Sequence, residues 1–325
     1  MFAAYFFPLA LEAGSMQSFL PGWLSKAAQG AGHADDPSKA LVSSLLMMAW
    51  FVEARDPYTG GHLWRVSRYA RLLGEAAGLP SADVARSSLG GFLHDLGKIG
   101  IADAVLRKTS ALTEDEFAVV RTHPEMGWRM LAGHPLADLV KEAVYSHHER
   151  PDGKGYPRGL RAEDIHLDAR IVGICDAFDA MTSSRPYRTG MSRGQALAII
   201  QSQSGSQFDV ELSRVFIELG RRGVLDHVIG HSDDGIPLQE CPMCGPTLVL
   251  KRSQQAGEHI YCRNCGGEFA LEAEDARLVA RPTGRTGSPA DLQPDVDHEL
   301  IRKVVREAAD RMPLEQMLAS AGGMA

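Results

Sequence analysis

The chain has 325 residues, 44% of them hydrophobic and 23% charged. This ordinary globular composition can bury a sizeable core, with room for one large domain and a smaller companion. Thirty-four Lys and Arg against 41 Asp and Glu leave a net charge of −7, which argues against broad nucleic-acid binding because that needs a basic stripe facing the phosphates. A small anionic ligand in a locally basic pocket stays open. Five cysteines are an odd number for a secreted disulfide framework. Four of them form two CxxC pairs, which points to metal binding in a reducing compartment and so to the cytoplasm.

The N-terminus, MFAAYFFPLALEAG, is apolar but carries no Lys or Arg before Lys26. It lacks the basic start of a signal peptide, and Glu12 ends the run well short of a membrane span. Residues 1–37 are therefore expected to be an apolar segment and connector that packs on the body or is disordered. Phe2, Phe6 and Phe7 are the side chains for a peripheral contact. From 38 to 228 the pattern is helical throughout. SKALVSSLLMMAWFVEARD is apolar at helical spacing, with Met47, Met48 and Trp50 as core, and Asp56-Pro57 stops it. HLWRVSRYARLLGEAAG ends at Gly78, a natural C-terminal stop. ADVARSSLGGFLHDLGKIG and TEDEFAVVRTHPEMGWRML follow, the latter opened by a capping-box pair, Thr113 and Glu116. LADLVKEAVYSHHE comes next, then a Gly/Pro loop, then DARIVGICDAFDAMTSS and two amphipathic helices near 192–203 and 209–220. After a polar break the texture changes: residues 236–280 read as a small β ribbon, 281–298 as a flexible linker and 299–325 as a final helix and tail interrupted by Pro313.

The chemistry concentrates in histidines and carboxylates. His94-Asp95-Leu96-Gly97-Lys98 is the centre of the pattern. On a helix His94 and Asp95 point about 100° apart and serve two sides of a metal centre, and Lys98 returns to the same face as a counter-charge for a phosphate. A lone His-Asp pair is more often a hydrogen-bonded core pair. Its company changes the weighing: His62 after a Gly-Gly turn, His123 in mid-helix, the adjacent His147 and His148, and Asp176 in an otherwise apolar helix. Five imidazoles and two carboxylates make a donor set suited to two borderline ions such as iron, manganese or zinc. Two such ions activate water and clamp a phosphodiester for in-line attack.

The blocks ARDPYTGGH (54–62), HDLGKIGIAD (94–103), THPEMG (122–127), HHERPDGKGYPRGL (147–160), CDAFDAMTSSRPYR (175–188) and QFD (207–209) together resemble the HD-GYP phosphohydrolases over residues 38–222. The resemblance implies an all-α HD-type helical domain. It places His62, His94, Asp95 and Asp176 around one divalent metal, iron or manganese, with Asp95 bridging to a second held by His123, His147 and His148. Lys98, Arg185 and Arg188 fall on the family's phosphate contacts, with Asp95 and Lys98 as the catalytic pair. Gly155, Tyr156 and Pro157 are its name motif, which shapes the site rim and offers a surface to a protein partner. Where some members carry a third-metal Glu, this chain has Tyr58, which favours a dinuclear centre. Pro151, His166 and Val210 are peripheral departures from the family pattern. The implied activity is hydrolysis of cyclic di-GMP to linear pGpG, and onward to GMP, in bacterial signalling. The alternatives are another cyclic dinucleotide as substrate, or a non-catalytic sensor or interaction module.

The remaining histidines (His33, His134, His227, His231, His259 and His298) lack such flanking motifs and are expected to be surface or hydrogen-bonded. Cys175 reads as a small buried hydrophobe, and Asp56 and Asp179 as groups that orient the metal-binding histidines, with helix-end capping an equal account of Asp56. Cys241, Cys244, Cys262 and Cys265 form two CxxC pairs with seventeen residues between them. That is the spacing of a closed four-cysteine zinc site, rubredoxin-like iron being the minority reading. Each pair is followed by a glycine, Gly245 and Gly266, that permits a tight turn. The module resembles zinc ribbons, whose surfaces serve protein or nucleic-acid contacts. It and the C-terminal helix are expected to serve a regulatory partner.

Overall fold

In a computed structural model the chain is described over residues 36–56, 59–184, 188–245, 247–275 and 277–314. The expectations for the N-terminal segment, for Tyr58, for Arg185 and for the last turns of the tail lie outside these residues. The architecture is the expected one, an all-helical domain followed by a small antiparallel β module and a C-terminal helix.

Helix α1 (Pro37–Glu53) starts where the Asp36 carboxylate accepts from the Ser38 amide at 2.9 Å, and Pro37 costs nothing at a position whose N–H has no helical partner. Helices α2 (His62–Ala76), α3 (Ser81–Leu93), α7 (Ala137–Ser146) and α8 (Leu167–Thr182) pack around one core. Leu45, Leu46, Tyr69, Leu93, Ile174, Phe178 and Phe216 in it are shut off from solvent. Tyr69, Phe178 and Phe216 meet edge-to-face at 5.0–6.2 Å, which adds geometric specificity to the burial. Trp50 and Cys175 are buried, and Met47 and Met48 pack against the same core. Helices α4 (Asp103–Leu106), α5 (Glu114–Val120) and α6 (His123–Leu131) cover one flank, and α9 (Arg193–Gln203) and α10 (Val210–Arg221) another.

Two helix boundaries differ from the sequence reading, and both bear on the site. The segment 113–131 is two helices, because Pro124 cannot donate to the Val120 carbonyl that a continuous helix would require. Helix α5 begins with the capping box of Thr113 and Glu116. Helix α6 begins at His123, which is therefore at a helix start and not in mid-helix. Likewise α3 ends at Leu93, so His94 and Asp95 sit in the turn beyond it, and a 3₁₀ turn (Leu96–Gly100) carries Lys98. A side chain on Gly97 would strike the His123 carbonyl and the Gly127 amide, so glycine there lets this turn lie directly on α6.

The β module comprises the short pairs β1 (His231–Asp233) with β2 (Ile236–Pro237) and β3 (Gln239–Glu240) with β4 (Thr247–Leu248). A three-stranded antiparallel sheet follows in the order β5 (His259–Tyr261), β6 (Gly267–Glu274), β7 (Arg277–Thr286). Residues 281–286, expected in the linker, thus belong to an edge strand, where Pro282 is tolerated opposite Phe269. Helix α11 (His298–Ala309) begins at Asp297, whose carboxylate accepts from the Leu300 amide at 2.9 Å, and ends before Pro313. Its apolar stripe of Leu300, Ile301, Val305 and Ala308 is buried in the main helical core against α1 and α3. That stripe is therefore covered from within the chain.

Candidate metal centre

Helix ends deliver five imidazoles and the Asp95 carboxylate to one point, and the middle of α8 adds Asp176. Helix termini leave carbonyls without helical partners, and three histidines use them. His94 Nδ1 lies 2.8 Å from the Gly91 carbonyl and His123 Nδ1 2.8 Å from that of Val120, the carbonyl that Pro124 left free. His147 Nδ1 lies 2.9 Å from that of Ala143. A carbonyl accepts only, so each Nδ1 carries the proton and each neutral ring presents a bare Nε2. His62 is held instead by Asp179, 2.8 Å from its Nδ1, as expected of an orienting carboxylate.

The Nε2 atoms converge. Those of His62 and His94 are 3.3 Å apart, and those of His123 and His147 are 3.2 Å apart. Asp95 stands between the two pairs: Oδ2 is 3.5 Å from His62 and 3.4 Å from His94, while Oδ1 is 3.4 Å from His123. Asp176 Oδ1, from mid-α8, is 3.5 Å from His62 Nε2. His148 joins His123 and His147 within a metal-sized group, and His62, His94 and Asp176 form another. The bare Nε2 atoms of His123 and His147, facing each other at 3.2 Å, share no hydrogen and repel unless a cation lies between them. The donor set therefore fits divalent ions. Burial pushes His123 down to about 4 and His148 to about 3 and holds His147 well below its ordinary value, so these rings stay in the neutral, ligating form. Burial opposes charge on His62 too, but hydrogen bonds to Asp179 and Asp95 outweigh it and raise His62 to about 9. Asp95 resists its burial because Lys98 holds its carboxyl well below the usual range. Lys98 Nζ is 2.6 Å from Asp95 Oδ2.

Arg65 was not singled out from the sequence. It lies on α2 in what reads as a solvated position, yet it is buried and all five of its N–H groups are engaged. It grips Asp179 with two bonds of 2.6 and 3.0 Å, reaches Ser183 Oγ, and donates to the Gly60 and His231 carbonyls at 3.0 Å each. The Arg65 guanidinium and His62 hold the Asp179 carboxyl far down against its burial.

A cleft of about 440 Å³ opens beside His147, His148 and Asp176. Tyr156 of the Gly155-Tyr156-Pro157 loop stacks on His148 at 4.7 Å, with the Arg121 guanidinium 4.6 Å from the Tyr156 ring. Gly155 is needed because a side chain there would run into the backbone of Glu149 and Arg150. Arg121, Arg150, Lys154 and Arg170 line the cleft, and of these basic groups the sequence reading named none. Arg150 and Lys154 lie inside the quoted HHERPDGKGYPRGL block, where their charge was the available signal. Arg188 does not line this cleft; its guanidinium donates to the Ala180 carbonyl.

The four cysteines form a second cluster. Sγ–Sγ separations of 3.5, 3.6 and 3.7 Å match the edges, roughly 3.8 Å, of a tetrahedron with metal–sulfur bonds of about 2.3 Å. The turns after each pair close through Gly245 N–H to the Cys241 carbonyl and Gly266 N–H to the Cys262 carbonyl, both at 2.8 Å. The other histidines behave as expected within the described residues: His231 Nδ1, for instance, meets the Ile229 carbonyl at 2.9 Å.

The HD domain family model matches residues 47–212. The chain belongs to the HD domain family. Among curated proteins, the cyclic di-GMP phosphodiesterase response regulator RpfG of Xanthomonas campestris pv. campestris is 42% identical over 168 residues, covering 51% of this chain and 44% of its own. A cyclic di-GMP phosphodiesterase of Thermotoga maritima is 38% identical over 181 residues, 55% of this chain and 49% of its own. The 3'3'-cGAMP-specific phosphodiesterase 2 of Vibrio cholerae is 35% identical over 185 residues, 56% and 35% respectively. The chain spans less than half the length of these relatives. The four-cysteine cluster lies beyond the HD domain match. No helix among the described residues is long and apolar enough to cross a membrane.

Proposed function

We propose that residues 38–228 form a dinuclear-metal phosphodiesterase that hydrolyses a cyclic dinucleotide, cyclic di-GMP first, to linear pGpG and onward to GMP. The observation that carries this reading is the convergence of imidazole nitrogens on both oxygens of one buried carboxylate, Asp95. His62, His94, Asp95 and Asp176 would hold one divalent ion, and Asp95, His123, His147 and His148 the other, with iron or manganese the best matched. Such a pair supplies Lewis acidity that lowers the pKa of a water and neutralises phosphate charge.

The chain's own groups do the rest. Asp179 keeps the proton on His62 Nδ1, and backbone carbonyls do the same for His94, His123 and His147. Lys98 adds a positive charge beside Asp95, and Arg121, Arg150, Lys154 and Arg170 give the cleft the cationic character that the acidic composition lacks overall. Tyr156, stacked on His148, offers a face to a nucleobase. Arg185 remains a proposed phosphate contact from the sequence resemblance. Arg188 does as well, and to serve it would have to leave the Ala180 carbonyl. The cysteine cluster is proposed as structural zinc, and cysteines kept as metal ligands suit a reducing compartment, for which the cytoplasm is proposed.

The test is product analysis after anaerobic purification with iron or manganese. Linear product from cyclic di-GMP with the wild type, and none with Asp95→Ala, supports the enzyme. Tight binding without product in both sinks it in favour of a sensor. Turnover of 3'3'-cGAMP in preference to cyclic di-GMP would move the substrate within the same chemistry.

A further inference from the structure

Besides β1 and the turn after it, which meet α2 through Arg65 and Arg68, the β module touches the helical domain at the connection between α1 and α2. Arg263, between the second pair of cysteines, donates from Nη1 to the Ala54 carbonyl at 3.0 Å. Ala54 is the C-terminal cap of α1, where carbonyls lack helical partners and attract cations. The same guanidinium lies over the Trp50 ring at 5.5 Å. Burial lowers its pKa, so its charge is kept there against a desolvation cost and the carbonyl and ring are its compensation. At the other end of the connection, a side chain on Gly60 would strike Val249, just after β4. The Gly60 carbonyl shares Arg65 with the His231 carbonyl of β1.

Both ends of the connection lead into the site. Residue 62 is His62. On the other side Arg55 donates to the Ile99 carbonyl at 2.7 Å and the Ile101 carbonyl at 2.8 Å, across the 3₁₀ turn that carries Lys98. Whatever fixes residues 54–56 and 59–61 therefore bears on both the entry of His62 and the seat of Lys98.

We infer that the four-cysteine module is a positioning element of the histidine–aspartate site, acting through Arg263. The inference rests on the proposed reading of that site only for its catalytic consequence. The cysteine turn presents Arg263, Arg263 holds the end of α1 at Ala54, and Ala54 and Arg55 lie between the module and the 3₁₀ turn. Loss of the ordered knuckle, by loss of its metal or oxidation of its thiols, would release the clamp without touching a residue of the site.

The test is amide hydrogen exchange of the full chain, wild type against Arg263→Ala and Arg263→Lys, with zinc content measured in each. Loss of one hydrogen bond to a charged donor predicts about tenfold faster exchange over residues 54–62 in the alanine variant. Exchange in α8 should be unchanged, with the lysine variant in between. Mn²⁺ titration should show weaker binding at the His62 side. Unchanged exchange over 54–62 in Arg263→Ala, with zinc retained, overturns the inference. Should the alanine variant lose zinc, Arg263→Met, which keeps the length of the side chain but no donor, is read in its place by the same criterion. Exchange and Mn²⁺ binding are read without substrate, so failure of the phosphodiesterase reading leaves this test intact. If the wild type does turn over cyclic di-GMP, the alanine variant should lower kcat/KM about three- to tenfold by the same loss of hold.

Discussion

The molecule holds two metal-sized clusters built on opposite rules. In the helical domain the donors come from distant parts of the chain, and four of the five rings are already oriented by a backbone carbonyl or by Asp179. The surrounding core of α1, α2, α3, α7 and α8 is large and continuous. In the β module the donors lie within one short stretch, and the buried core is Cys241, Leu248, Cys262 and Phe269, half of which are the proposed ligands themselves. The first cluster is a site that a fold prepares for metal; the second is a fold that metal completes. Removing metal should therefore empty the one and unfold the other.

The largest expected effect tests that contrast directly. Cys241→Ser, or stripping of zinc with a thiol-competing chelator, should abolish the β5–β7 sheet, since structural zinc contributes on the order of 10 kcal/mol to such modules. The helical domain should still unfold cooperatively. Circular dichroism, with exchange resolved by segment, reads both; collapse of the helical core along with the module would break the comparison.

Next comes Asp179→Asn. It leaves the buried Arg65 without its carboxylate, which costs about 3–5 kcal/mol when one partner of a buried pair is removed. It also frees the His62 ring, and loss of such an orienting group weakens metal affinity about 10–100-fold. Urea unfolding and Mn²⁺ titration measure the two consequences separately. A large stability loss with unchanged metal affinity would show that Asp179 serves Arg65 alone.

Gly97→Ala should act more gently and on the other half of the site. The added methyl meets the His123 carbonyl and the Gly127 amide, both backbone, so the 3₁₀ turn and α6 must part at a cost of about 1–3 kcal/mol. Metal held with His123 should weaken more than metal held with His62, which a two-site titration distinguishes. Equal weakening of both would mean that Asp95, and not the α6 contact, carries the damage.

Much of this organisation was legible in the sequence. The seven candidate donors stand out because His and Asp at those spacings lack a simpler joint explanation, and the CxxC pairs carry their own geometry. Helical periodicity could not show that His94, His123 and His147 sit at helix ends, since it reports faces and not caps; Pro124 was the one local signal of the break before α6. Arg65 was invisible because its burial is made by β1 and Asp179, far away in sequence. The stretch RPTGRT read as linker because Gly and Pro punctuate loops, yet β7 is an edge strand and tolerates both. The covering of α11 could not be read either, since an amphipathic stripe does not say whether its own chain or another buries it.

That last point supplies the smallest prediction. After the β module the chain returns to the helical core through α11, so the module is tethered at both ends by a domain that folds without it. Asp297 caps the returning helix, and Asp297→Ala should cost about 1 kcal/mol. Because the cap belongs to the helical core, that loss should appear in the global unfolding of the helical domain, and the rate at which a chelator withdraws zinc should stay the same. If zinc leaves faster while global stability holds, α11 belongs energetically to the module. The boundary between the prepared site and the metal-completed fold would then lie within α1 and α3, at the surface where α11 packs.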